Sequence, residues 1–148
     1  MEAITLIRVI YGKKGSGKTK RMLAMANDLG ARADGSIAFI DVDKDYMYDL
    51  DRSIRFIDAS EYSIFGADMF LGFIKGIAAQ DFDLQYLFVD GLLKLLPEKL
   101  FDLGWLFSAL ETFSEKNGLS IILSVSGSEC IPDFLKPYIV GEDADAIG

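Results

Sequence analysis

The sequence predicts an α/β protein, a three-layer sandwich built on a mainly parallel sheet of five or six strands. Apolar runs rich in β-branched residues alternate along the chain with longer segments whose apolar residues recur at helical spacing. Strands that alternate with helices favour a parallel sheet covered on both faces. A length of 148 residues, 51% of them hydrophobic, suits one domain with a proper core and excludes a disordered chain.

The first half of the chain contains three predicted strands and one predicted helix. The first strand leads straight into a glycine-rich segment, and the helix after it has Gly30 where a helix C-terminus favours glycine. The predicted ranges are 4–10 for the first strand, 18–29 for the helix, and 37–42 and 54–58 for the next two strands. Between those two strands, the polar segment 43–53 is expected to hold a turn or one helical turn.

The second half contains two predicted helices and two or three strands. An amphipathic helix over 67–79 precedes an apolar run that ends in Asp90. Pro97 suits the first turn of a helix that runs to about Lys116 and is ended by Gly118. The predicted strands are 86–90, 120–125 and, as a short possible sixth, 138–140. We expect residues 1–140 to form the domain and residues 141–148 to form an acidic, frayed tail.

Composition and charge argue against several classes of function. No apolar stretch reaches the ~20 residues of a membrane span, and Glu2 stands where a signal peptide carries a base, so membrane insertion and secretion are not expected. With no histidine and only Cys130, a transition-metal site is not expected, whereas a reducing cytoplasm is. The net charge of −8 argues against nucleic-acid binding, because the clustered lysines coincide with a more specific motif.

The most informative segment joins the first predicted strand to the first predicted helix. It matches the pattern G-x-x-x-x-G-K-[ST] at every fixed position and has the strand–loop–helix context that the pattern requires. Its glycines let successive backbone N–H groups point inward, and these donors form an anion site with the positive end of the helix. The residues are Gly12, Lys13, Lys14, Gly15, Ser16, Gly17, Lys18 and Thr19, with Lys20 adding positive charge beside them.

The chemistry expected of this segment is phosphate binding, and the expected ligand is Mg·ATP. Lys18 would reach the β- and γ-phosphates, and the hydroxyl of Thr19 would ligate Mg²⁺. The alternative is a glycine-rich turn that merely joins a strand to a helix, but such a turn has no reason to place lysine and threonine at the start of the helix. No N-K-x-D motif occurs, so ATP is preferred to GTP.

Magnesium at such a site also needs a carboxylate from the end of a neighbouring strand. Asp90 is the preferred candidate, because it follows the most apolar run and Gly91 lets the chain leave the strand close to a ligand. Asp41 and Asp58 also end apolar runs. Both are expected to be solvated aspartates at strand ends, although further acidic residues after Asp41 leave it some weight as a ligand.

The remaining groups that could serve catalysis are sparse. Ser124 or Ser126 at the end of the fifth predicted strand could touch the γ-phosphate, and Glu129 could act as a general base, but an uninvolved loop residue is the favoured interpretation of each. No glutamate directly follows Asp90, and no arginine occurs after Arg55. Fast hydrolysis and phosphoryl transfer with an arginine-rich lid are therefore not expected.

On these residues the chain resembles the P-loop NTPase superfamily, most specifically over residues 4–29. It is similar more narrowly to a family of minimal single-domain bacterial proteins known only as ATP-binding, through the segments Y-G-K-K-G-S-G-K-T-K, I-D-V-D-K-D-Y, I-R-F-I-D-A-S-E-Y and F-V-D-G-L-L-K. The resemblance implies nucleotide binding and an unassigned role. The twitching-motility label sometimes given to that family is not supported by a chain this short that lacks histidine.

Three functions fit the sequence. The leading one is a slow ATPase that acts as a nucleotide-dependent switch, in which segment 43–53 or the loop after Asp90 responds to hydrolysis or exchange. A non-catalytic nucleotide-binding module is the first alternative. The second is a small-molecule phosphotransferase, whose acceptor would contact the polar segment 41–51.

A homodimer or an unidentified protein partner is also possible. Lys13 stands where loops that resemble those of partition and cell-division ATPases carry a lysine that crosses a dimer interface. Lys14 replaces a glycine of that pattern, so a lysine that only adds charge is the favoured interpretation. The predicted helix around Trp105 is apolar on more than one face, for which burial in a sandwich is favoured over a partner contact.

Overall fold

A computed structural model describes residues 6–141, and within them the chain forms a five-stranded, all-parallel sheet. Every strand pair is parallel, and the spatial order is β1-β5-β4-β2-β3. The strands are β1 Ile7–Gly12, β2 Ser36–Asp41, β3 Ile54–Asp58, β4 Leu84–Val89 and β5 Ser120–Ser126. The five strands predicted from apolar runs are confirmed to within a few residues at their ends.

Helices cover both faces of the sheet, which is consistent with a three-layer sandwich. They are α1 Lys18–Gly30, α2 Ala67–Gln80, α3 Leu92–Leu95 and α4 Gly104–Asn117. Short 3-10 helices lie at Lys44–Asp49, Ala59–Tyr62, Leu100–Asp102 and Lys136–Tyr138. The first of these is the helical turn expected in segment 43–53.

The two faces of the sheet bury separate apolar clusters. On one face α1 packs its Met22 and Leu29 against a layer that includes Phe39 and Phe88, whose rings stack 5.7 Å apart. On the other face α2, α3 and α4 share a larger cluster, which includes Phe70 and Phe107. The spacing of apolar residues predicted α1, α2 and most of α4 as helices that each bury one stripe of residues, whereas α3 was not predicted.

The helix predicted to begin at Pro97 begins at Gly104 instead. After α3 the chain is extended at Leu96, as the residue before a proline prefers, and only a 3-10 turn separates Pro97 from α4. Leu103 lies within the predicted range of that helix and is fully buried, but it precedes the observed helix. The end at Gly118 is confirmed, with φ at 63° in the left-handed region. Trp105 stays half-exposed at the start of α4.

The possible sixth strand over 138–140 is wrong. Tyr138 belongs to a 3-10 turn with Pro137 in its first positions, and proline fixes φ and lacks the N–H that a ladder requires. Only an isolated bridge between Val9 and Ile139 remains, in which the Val140 N–H donates to the Val9 carbonyl at 3.0 Å. The frayed tail lies outside the described residues, apart from Gly141. Among the described helices, none is long and apolar enough to cross a membrane.

Parallel pairing brings the carboxyl ends of all five strands to one edge of the sheet. Ile40 lies opposite Val89 in the register of β2 with β4, and the N–H of Asp90 donates to the carbonyl of Ile40 at 2.9 Å. Residues that are 49 positions apart, Asp41 and Asp90, therefore meet at this edge. In folds of this kind ligands bind outside the carboxyl ends of the strands.

Candidate functional site

The loop between β1 and α1 (residues 12–19, hereafter the glycine loop) has a backbone that only glycine adopts readily. Gly15 and Gly17 have φ of 82° and 89°, and a methyl group added to either would meet nothing within 4 Å. Backbone conformation, rather than lack of space, therefore calls for glycine at both positions. No side chain of the described residues caps α1, which leaves its first N–H groups available to an anion.

The side chain of Lys18 forms hydrogen bonds within the glycine loop. Its Nζ donates to the carbonyl of Lys13 at 2.7 Å and reaches Ser16 Oγ at 3.4 Å, while the Ser16 N–H donates to the same carbonyl at 3.1 Å. Burial lowers the pKa of Lys18, the Asp90 carboxylate opposes that effect, and the positive charge of Lys94 adds to it. The ammonium group is thus held at the loop, near one carboxylate and a second ammonium group.

The base of the site joins three elements through Asp90. The Thr19 hydroxyl from α1 donates to Asp90 Oδ2 at 2.8 Å, and the Ser124 hydroxyl from β5 donates to Asp90 Oδ1 at 2.7 Å. Ser124 Oγ in turn accepts a hydrogen bond from the Gly91 N–H at 2.7 Å. Asp90 is 3% exposed, so its carboxylate is held almost entirely by these partners. The two residues expected to share a metal, Thr19 and Asp90, therefore lie in direct contact.

Asp41 is buried in this site, so the expectation of a solvated strand end is wrong. It is 0% exposed, and its Oδ1 accepts from the N–H groups of Val42 at 2.7 Å and Asp43 at 3.3 Å. Its Oδ2 accepts no hydrogen bond from a donor within residues 6–141. Burial first, and then the neighbouring Asp90 carboxyl, raise the pKa of Asp41 to about 7. The cause is the pairing of β2 with β4, which sets two acidic side chains next to each other.

Asp58, the third aspartate at a strand end, is also buried, so the expectation that it is solvated is wrong. Its side chain stabilises the turn that follows β3. Its Oδ1 accepts from the N–H and the hydroxyl of Ser60 at 3.0 and 2.6 Å, and its Oδ2 lies 3.6 Å from Lys44 Nζ. Hydrogen bonding to Ser60 lowers the pKa of Asp58. Because β3 is two strands away from β4, Asp58 is not brought to Asp90.

A cleft of about 470 Å³ opens above this base. The loop at Lys44–Asp49 forms part of its wall through Tyr46 and Asp49, and Asn27 of α1 holds that loop by donating to the Asp49 carbonyl at 2.8 Å. The lining residues are Lys14, Gly15, Gly17, Lys18, Thr19, Lys20, Leu23, Tyr46, Asp49, Asp90, Gly91, Lys94, Ser124 and Ser126. The cleft is not lined by three polar residues of the segment 41–51 that was expected to contact an acceptor, namely Asp43, Asp45 and Tyr48. Glu129, suggested as a general base, does not line it either.

The remaining loop residues take different positions. Gly12 lies at the end of β1, where an added methyl group would be 2.6 Å from Ser16 Oγ. Lys13 is exposed and contributes its carbonyl to the loop. A second groove, of about 560 Å³, is lined by Gly12, Ser16, Gly17 and Lys18 and is also bordered by Tyr11, Arg21 and Val140. The loop therefore contributes residues to two open spaces.

Lys94 is the residue of the cleft that the sequence analysis missed. It follows Asp90 by four residues, and the left-handed conformation of Gly91, with φ of 74°, turns the chain so that α3 starts beside the cleft. The signal available in the sequence was an aspartate, a glycine and a lysine in close succession after a buried strand. On its own that pattern is too common to indicate a site.

The described residues contain no group of three or more acidic, histidine or cysteine side chains that could hold a metal alone. A cation here would have the Thr19 hydroxyl and the Asp90 carboxylate as protein ligands, and would take the others from water or from a bound anion. Such a set of oxygen donors suits Mg²⁺. Comparison of the chain with protein-family models gave no match, and comparison with curated proteins gave none either.

Proposed function

We propose that this chain is a P-loop protein that binds Mg·ATP in the 470 Å³ cleft and hydrolyses it slowly, as a nucleotide-dependent switch. The observation that carries the proposal is the contact of Thr19 Oγ1 with Asp90 Oδ2 at 2.8 Å, directly below a glycine loop that holds a lysine ammonium group. A turn that only joined a strand to a helix would need neither the contact nor the ammonium group.

Phosphate binding is supported by charge as well as by backbone geometry. Lys14, Lys18 and Lys20 line the cleft beside the uncapped start of α1. Backbone N–H groups, a helix N-terminus and ammonium groups together favour a polyphosphate over a single carboxylate. The preference for adenine is proposed only because the N-K-x-D motif of guanine recognition is absent from the sequence.

Magnesium fits the residues at the base of the cleft. Thr19 and Asp90 would hold the ion, and the Asp41 carboxyl behind them has a buried oxygen without a described donor. When bound, the ion would neutralise charge on the phosphate oxygens. Ser124 is proposed to orient Asp90 rather than to touch the γ-phosphate, because its hydroxyl is already committed to that carboxylate.

Slow turnover is proposed because no carboxylate at the base of the cleft is free to act as a general base, and the exposed Asp49 belongs to the loop in the wall of the cleft. Asp90 is engaged by Thr19 and Ser124, Asp41 is fully buried, and Glu129 does not line the cleft. A base has to reach the attacking water. The loop Lys44–Asp49 is the proposed switch element, since its Tyr46 and Asp49 line the cleft and would meet a bound nucleotide.

Calorimetric titration with ATP in the presence of Mg²⁺ tests the binding claim. Lys18→Ala should weaken binding by about 10- to 100-fold, the loss expected for charge-assisted hydrogen bonds to phosphate. Lys116→Ala, which removes an exposed lysine at the end of α4, should not. If the unaltered protein bound no nucleoside triphosphate at millimolar concentration, the proposal would be wrong.

Measurement of phosphate release tests the hydrolysis claim separately. The unaltered protein should release phosphate slowly and Lys18→Ala more slowly still, because the lysine would stabilise charge on the transferring group. Equal rates for both proteins would leave a non-catalytic binding module. Turnover stimulated by one small hydroxylated compound would instead favour a phosphotransferase, for which Tyr46 and Asp49 are the lining residues placed to meet an acceptor.

A further inference from the structure

Lys94 is fixed at the rim of the cleft by the backbone around it. Its N–H donates to the Gly91 carbonyl at 2.9 Å, which closes the first turn after β4. Its side chain crosses the bare backbone of Gly91: a methyl group added there would lie 2.9 Å from Lys94 Cδ and 3.3 Å from Cε. The lack of a side chain at Gly91 therefore leaves room for the Lys94 side chain, and its left-handed conformation lets the chain turn.

The charge of Lys94 is directed into the same space as the charge of Lys18. Both residues line the cleft. Within residues 6–141, Lys94 forms no ion pair with a carboxylate. Two ammonium groups that repel each other across an open cleft indicate that a polyanion belongs between them.

The overall charge balance of the cleft supports this conclusion. Four lysines and two aspartates line it, whereas the whole chain carries a formal net charge of −8. Positive charge is therefore concentrated where the remainder of the protein is acidic. Such a cleft raises the local concentration of anions.

We propose that Lys94 contacts the terminal phosphate of the bound nucleoside triphosphate and supplies positive charge to the phosphoryl group as it transfers. This inference rests on the proposed function. In the hydrolytic step, the water oxygen forms a bond to the terminal phosphorus. The bond from that phosphorus to the bridging oxygen breaks, the diphosphate leaves with the electron pair, and the water proton passes to the phosphate product or to solvent.

Lys94 would act as a catalytic residue during this step. Charge gathers on the transferring and leaving oxygens, and a cation placed there stabilises the transition state. The chain has no arginine after Arg55 to serve in this way. Lys94, which comes from the loop that follows Asp90, would take that part within the same chain.

Binding of a triphosphate and of a diphosphate to the same variants tests the inference. Lys94→Met retains the aliphatic path across Gly91 and removes the charge, and Lys99→Ala removes an exposed lysine of the same segment that does not line the cleft. Calorimetry would use Mg²⁺ with ADP and with a non-hydrolysable ATP analogue. Thermal unfolding would confirm that each variant folds.

For Lys94→Met we expect affinity for the triphosphate analogue to fall about 10- to 100-fold, affinity for ADP to change less than about threefold, and phosphate release to slow at least tenfold. Lys94→Arg should recover part of each loss, and Lys99→Ala should match the unaltered protein. Equal losses for both ligands, or no loss for either, would overturn the assignment of Lys94 alone. Failure of the unaltered protein to bind either nucleotide would overturn the proposed function itself.

Discussion

The pair of buried carboxyls at Asp41 and Asp90 makes a strong prediction about stability without magnesium. Two acidic side chains lie together at the ends of β2 and β4, and the pKa of Asp41 is raised to about 7, chiefly by burial and then by Asp90. Asp41→Asn removes one of the two titrating groups and keeps an Oδ1 that can accept from the N–H groups of Val42 and Asp43. We expect this variant to be more stable than the unaltered protein at neutral and alkaline pH.

The size and sign of the effect follow from the shift in pKa. The pKa of Asp41 rises from 3.8 to about 7 on folding, a difference of about 3, and each pKa unit corresponds to ~1.4 kcal/mol in the free energy of unfolding. Because the shift is shared with Asp90, we expect about 2 to 4 kcal/mol in the difference between the two proteins. Between these two pKa values the folded chain holds a proton that the unfolded chain has released. The contribution of Asp41 to the stability of the unaltered protein should therefore fall as pH rises through this range, and level off above about 7.

Urea unfolding at a series of pH values, in buffers with a chelator, measures this difference. The stability of Asp41→Asn relative to the unaltered protein should increase from pH 4 to pH 7, whereas Asp34→Asn, which changes an exposed aspartate, should follow the unaltered protein throughout. Comparison with a variant cancels the contributions of the titrating groups that do not interact with Asp41. Parallel curves for Asp41→Asn and the unaltered protein would show that folding does not raise the pKa of Asp41, and the reasoning about the base of the site would fail.

Two further predictions concern the other contacts of Asp90. Ser124→Ala should lower the free energy of unfolding by about 2 to 4 kcal/mol, because Asp90 Oδ1 and the Gly91 N–H would both lose a buried partner. Urea unfolding measures this loss, and a value below about 0.5 kcal/mol would contradict the prediction. Thr19→Val preserves the shape of the side chain and should remove most of the effect of Mg²⁺ on ATP affinity without changing affinity in chelator, as titrations with and without the metal would show. Thr112→Val, at an exposed site on α4, is the matched control, and an undiminished metal effect in Thr19→Val would exclude Thr19 as a ligand.

The strands and most helix ends could be predicted from the sequence because each depends on neighbouring residues. Apolar runs of five to seven residues became strands, and glycine at position 118 ended a helix through its own conformation. The predicted start of α4 was wrong because it relied on a local signal alone. Pro97 favours a helix start, but the burial of Leu100 and Leu103 before the helix depends on their packing against the rest of the core. Tertiary packing overrode the local preference there.

The site was predicted only where one segment determines it. The glycine loop carries its own pattern, and Asp90 could be chosen because glycine follows a buried strand. The burial of Asp41 depends on which strands are neighbours, and the order β1-β5-β4-β2-β3 is not readable from one sequence. The position of Lys94 depends likewise on the backbone angle at Gly91.

The candidate site brings together two pairs of like charges, one acidic and one basic. At the base, Asp41 and Asp90 bring two acidic groups together in a buried space, which favours a cation or a proton between them. Above them, Lys18 and Lys94 bring two ammonium groups to one cleft, which favours an anion. A cation alone would reduce the repulsion between the carboxyls but would add to the positive charge near the lysines, and an anion alone would do the reverse.

The proposed ligand, a magnesium polyphosphate, would relieve both conflicts. Its metal would face Thr19 and Asp90, and its phosphates would face the glycine loop and the lysines. Proteins retain local conflicts of this kind mainly where function requires them, because each one reduces the stability of the chain. The same loop should therefore bind ATP strongly with the metal and only weakly without it, and Thr19→Val should remove most of that difference while Lys94→Met should not.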